Sequence, residues 1–170
     1  AFDLYFRFQS HEDRKSWETF QYDEDKNDRF LQELLEKNHD AGEVFKNGLE
    51  DTESDLLKNF LLTQAQQRAR FTKELEREIY QIDEVPHNAG TFQGSLQRTW
   101  MDLKTIFSDN GDEVILEECL EGEKESAEEY ERAIRKYNFS DDILRVLNGQ
   151  LDEIKHTLKA VSSLKDLETY

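Results

Sequence analysis

Proline and cysteine are almost absent from this chain, each occurring once, as Pro86 and Cys119. A single cysteine excludes an internal disulfide, and a single proline leaves long stretches in which nothing interrupts a helix. Glycine is sparse and dispersed, seven residues in all, so there is no phosphate-cradling loop and no dinucleotide fingerprint. Basic charge is in deficit: 22 Lys and Arg stand against 39 Asp and Glu, a formal net charge of −17. Phosphate contacts need a basic face, so unassisted binding to nucleic acid or to an anionic membrane surface is excluded. No apolar run approaches the roughly 20 residues that span a bilayer, and no charged-then-apolar leader is visible. The compartment expected by default is the cytoplasm, with secretion after signal removal left open.

What remains is a chain of 170 residues. That is one domain's worth, large enough to bury a core without covalent staples. Helix formers dominate and apolar residues recur at helical spacing, which predicts an all-α fold. The first helix is expected from Asn27 or Asp28 to about Gly48, with an inner stripe of Phe30, Leu31, Leu34, Leu35, Ala41, Val44, Phe45 and Leu49. The second is expected to open at Thr52, with Asp55 completing a variant capping box, and to run to about Ile82 through Leu57, Phe60, Leu61, Phe71 and Leu75. Pro86 and Gly90 break the pattern. Leu96, Trp100, Leu103 and Phe107 then form the stripe of a short helix ended by Asp109, Asn110 and Gly111. A third helix follows, with Ile115, Cys119, Gly122, Tyr130, Ala133 and Tyr137 on one face. Ser140 caps a fourth, whose inner line is Ile143, Leu147, Leu151, Ile154, Leu158, Val161 and Leu164.

The wording from Gly94 to Ile134, QRTWMDLK and then ILEECLEGEKESAEEY, resembles a bacterial family of small four-helix-bundle proteins of unknown function grouped with the ferritin-like superfamily. The resemblance covers residues 27 to 168. It implies a ferritin-like four-helix bundle with an extra short helix between the second and third long ones, and it brings no assigned activity.

Residues 1–9 differ from the rest. Phe2, Leu4, Phe6 and Phe8 alternate with polar or mixed positions, and a period of two with aromatic content predicts a strand-like, extended arm. An all-helical protein has no sheet to receive it, so the arm is expected either to pair with a neighbouring copy or another subunit, or to lay its phenylalanines over the bundle. Residues 10–29 are polar and predict a connector, which divides the chain into an arm and connector over 1–26 and a bundle over 27–170.

Ferritin-like metal enzymes take a glutamate from each of two helices and a Glu-x-x-His from each of the other two. The fourth helix does contain Glu153 and His156 at that spacing. With Ile154 and Leu158 directed inward, however, His156 is expected to point away from the bundle axis. The second helix offers amides and cations where a ligand pair is needed. Asn38, Gln64, Arg68, Glu123 and Gln150 all fall on inner stripes, and the expectation is a polar core layer in which they satisfy one another, Arg68 pairing with Glu123. The weak metal candidates are Glu123, Glu153 and His156, with iron or manganese as the implied ion and no cofactor as the leading expectation. The sequence thus predicts a non-enzymatic bundle that self-assembles through residues 1–9, against an alternative di-iron or di-manganese carboxylate protein and a third reading, a stress-related bundle that binds an unnamed partner protein through its acidic face. Cys119 is expected as a small core residue.

Overall fold

The computed structural model describes residues 11–82, 84–86 and 111–170. The arm over 1–9 and the short helix expected between Gly94 and Phe107 lie outside the described residues. Within them are four long helices, α1 (His11–Asp51), α2 (Asp55–Gln81), α3 (Asp112–Lys136) and α4 (Asp141–Ala160), then a short 3-10 helix (Leu164–Glu168) and no strand. None of these helices is long and apolar enough to cross a membrane.

α1 begins at His11, not at Asn27 or Asp28, so most of the segment read as a connector is helix. The reason is cooperativity. No proline or glycine lies between residues 11 and 41, and extending an existing helix adds one hydrogen bond per residue without a new nucleus. Polarity marks residues 14–20 and 24–26 as solvent-facing rather than unfolded, and apart from a half-buried Trp17 all of them are exposed.

At the other end of α1, Thr52 does not cap α2. Its hydroxyl donates to Asp112 Oδ1 at 2.8 Å and accepts from the Ser54 amide, and it is Ser54 Oγ that accepts from Leu57 N. α4 also departs from expectation, ending at Ala160 although the apolar pattern runs on. Val161 is extended, and Asp166 Oδ2 accepts from the amides and hydroxyls of both Ser162 and Ser163, with a capping box at Ser163. Local side-chain capture of these amides outcompetes another helical turn. The inner face shifts accordingly: Thr157 and Leu167 are buried, whereas Leu158 and Leu164 are only half-buried, as are Leu49, Ile82 and Tyr137 at other element ends. Ser140 caps α4 as expected, accepting from Ile143 N.

Three long-range hydrogen bonds fix the topology. Thr52 to Asp112 puts the start of α3 beside the end of α1, Gln32 Nε2 donates to Val85 O just beyond α2, and Asn27 Nδ2 donates to Asn138 O at the α3–α4 turn. α1 therefore runs up, α2 and α3 run down, and α4 runs up. The chain leaves α2 at one end of the bundle and re-enters at Gly111 at the other. α1 is about 60 Å long against about 40 Å for α2 at 1.5 Å per residue, and the excess precedes Asn27, beyond the end of the bundle.

Candidate functional site

The hydrophobic core is divided in two. One cluster joins Phe30, Leu34, Phe71, Leu75, Ala127 and Leu151, and the other joins Phe45, Phe60, Leu61, Ile115, Cys119 and Val161. Along α1, α2 and α3 the clusters are separated at Asn38, Arg68 and Glu123, each at most 1% exposed. A buried cation among apolar side chains is costly unless every donor is engaged. Arg68 Nη2 donates to Glu123 Oε2 at 2.8 Å, and Nη1 donates to Asn38 Oδ1 at 2.8 Å and to Ser126 Oγ at 3.3 Å.

From Asn38 the network continues. Its amide donates to Leu34 O and, at 3.2 Å, to the Tyr130 hydroxyl. That hydroxyl donates to Gln150 Oε1 at 2.6 Å, and Gln150 Nε2 donates to Phe71 O and to Glu74 Oε2. The chain of bonds thus runs from the centre of the bundle to the half-buried carboxylate of Glu74. Burial pushes the Tyr130 phenol well above its usual range, so it remains a neutral donor across the physiological range.

Four of the five predicted layer residues are connected: Asn38, Arg68, Glu123 and Gln150. Gln64 is as deeply buried but turns elsewhere, donating to the Tyr170 hydroxyl, which also meets Thr157 Oγ1 at 3.3 Å. Tyr130 is the link the sequence reading missed, because its place on an apolar stripe disguised it as packing. The available signal was chemical, since a buried tyrosine hydroxyl needs a partner. Tyr170 had no such signal. It is exposed, and it reaches Gln64 because the 3-10 helix folds the C-terminal residues back over Phe60.

The weak metal candidates are not assembled. Glu123 is held by Arg68. Glu153 is clamped by both terminal nitrogens of Arg70, at 2.7 and 2.5 Å, which lowers its pKa, and His156 is exposed. Among the described residues no group of three His, Cys, Asp or Glu side chains is placed to hold a metal ion. A guanidinium, two amides and one paired carboxylate do not fit a two-metal centre, which needs converging anionic or imidazole ligands. Cys119 is buried in the upper cluster, and desolvation, with Glu123 and Glu118 nearby, raises its pKa well above the ordinary thiol value.

These features define an all-helical bundle with a charged, hydrogen-bonded layer across its core. The model of DUF2383, a domain of unknown function, matches residues 28–136, well over half of the chain, and the protein belongs to that family. The match begins where α1 enters the bundle and ends with α3, so the projecting part of α1 and all of α4 lie outside it. No curated protein and no solved structure matches the chain.

Proposed function

We propose that the protein is a non-enzymatic, ferritin-like bundle that assembles with copies of itself through residues 1–9, which add as a strand to a neighbouring subunit. The observation that carries this reading is the overrun of α1. Residues 11–26 continue the helix for about 24 Å before Asn27, which bonds Asn138 at the bundle's lower end. The arm therefore precedes the far end of α1, and no strand among the described residues offers it an edge within the same chain. Helices running up, down, down and up, with one long crossover between the second and third, support the ferritin-like assignment. The buried layer then serves to fix helix register, a role open to hydrogen-bonded polar groups inside an apolar core.

Deleting residues 1–9 should lower the mass measured by light scattering to that of a single chain while leaving the helical circular dichroism unchanged. An unaltered mass would remove the arm from the mechanism. The competing reading, a di-iron or di-manganese carboxylate protein, draws on one observation: Glu123 Oε1 is fully buried and has no hydrogen-bond partner among the described residues. Arg68 against the other oxygen opposes it, because a fixed cation at hydrogen-bond distance repels metal ions.

A further inference from the structure

α4 stops short of its neighbour. After Ala160 the chain turns aside through Val161, Ser162 and Ser163, while α3 continues upward to its start at Asp112. Between them is an open groove of about 480 Å³. Its floor is apolar: Leu116 and Leu120 from α3, Leu158 and Val161 from the end of α4, and Leu164 from the 3-10 helix. Leu120, Leu158 and Leu164 are each only half-buried, although each packs against a core cluster.

One rim of the groove is a ladder of carboxylates. Glu113, Glu117 and Glu121 follow one another at intervals of four residues, so they rise along α3 at about one helical turn per step. Lys124 is the only cation in the lining, and it meets Glu121 at 3.8 Å. Among the described residues Glu113 and Glu117 have no ion-pair partner. The opposite wall, Ser162 and Ser163, carries no charge, and its hydroxyls are occupied by Asp166.

We infer that this groove is a docking site for a basic amphipathic helix of another protein. A helix laid along the continuation of α4 puts apolar side chains at i, i+3 and i+4 onto the leucine floor. Lys or Arg spaced four residues apart then faces the carboxylate ladder turn for turn. The acidic helices of a second copy are disfavoured as occupant of this groove, because they would set carboxylates against Glu113, Glu117 and Glu121, whereas the same rim draws a cationic segment in. The inference does not depend on assembly through the N-terminal arm.

The test uses the full chain and a fluorescently labelled Leu/Lys amphipathic helical peptide, with a scrambled peptide of identical composition as control, read by anisotropy. The amphipathic peptide should bind, and the scrambled one should bind about tenfold more weakly because its apolar face is lost. The triple variant Glu113→Gln, Glu117→Gln, Glu121→Gln should lower the affinity about fivefold and flatten its salt dependence, since three exposed charge pairs disappear. Leu120→Gln, shown by circular dichroism to be folded, should weaken binding independently of salt. If Leu120→Gln does not fold, the rim variant decides alone. Equal binding of both peptides, or an affinity indifferent to the rim variant, would reduce the effect to general attraction between a cation and an acidic protein and overturn the inference. Absence of binding would overturn it as well.

Discussion

Arg68→Met is the most informative single perturbation of the core. Methionine keeps much of the volume of the arginine stem, so the change removes the guanidinium with little cavity formation. It leaves Glu123 fully buried without its cation and takes the only described donor from Asn38 Oδ1. Breaking a buried pair from one side typically destabilises by about 3–5 kcal/mol, a large part of the roughly 5–15 kcal/mol available to a domain. For a chain of this size that corresponds to a fall of roughly 10 °C in Tm. Urea unfolding followed by circular dichroism should show the midpoint displaced with little change in slope, because the surface exposed on unfolding is nearly the same. The double variant Arg68→Met, Glu123→Leu removes both charges and should recover most of the loss, since an apolar pair avoids the desolvation penalty. If the layer fixes register, the double variant should also give broader amide resonances than wild type, reflecting alternative packings of a continuous apolar core. A single substitution costing less than about 1 kcal/mol, or a double no more stable than the single, would refute the reasoning.

Other outcomes follow from local chemistry. Asp28 is pushed up to about 6, chiefly by burial and then by Glu84, Glu24 and Asp25. The folded chain therefore holds this proton more tightly than the unfolded one, and the associated stability is present below about pH 4 and lost as pH rises through about 6. Asp28→Asn should raise the unfolding free energy at about pH 8, by up to about 1 kcal/mol after solvent screening, and leave it unchanged near pH 4 when followed by urea titration. Gly149 lies within α4, and a Cβ there meets nothing within 4 Å, so Gly149→Ala should stabilise by about 0.5–1 kcal/mol in the same urea titration. Thr52→Val should destabilise by about 1 kcal/mol, since it leaves Asp112 and the Ser54 amide without their hydroxyl partner where the loop meets α3. Cys119 should resist thiol reagents in the folded protein even at alkaline pH and react only on unfolding.

How much of this could be read in advance differs by level. Periodicity located the buried faces of α1, α2 and α3 because an inner stripe is a property of sequence spacing alone. It also placed Asn38, Arg68, Glu123 and Gln150 inside, and it joined Arg68 to Glu123. Helix ends were harder, because they depend on which side chain wins a particular amide. Thr52 looked like a cap but is held by Asp112, and Ser162 and Ser163 ended α4 through Asp166 while the apolar pattern continued through Leu164. The start of α1 was invisible for a different reason: a mostly polar segment with few apolar residues carries no stripe to detect. Tyr130 and Tyr170 joined the buried networks through single hydroxyl groups at positions where spacing reports only hydrophobicity. The groove beside α3 depends on where α4 stops, so it became visible only once that end was placed.

On this reading the layer around Arg68 is a structural network and not a metal centre. Elemental analysis of the purified protein, wild type beside Glu123→Gln, tests it most directly. The account predicts iron and manganese well below one per chain in both proteins, with no difference between them. About two metal ions per wild-type chain, lost in Glu123→Gln, would contradict it and make the buried carboxylate a ligand.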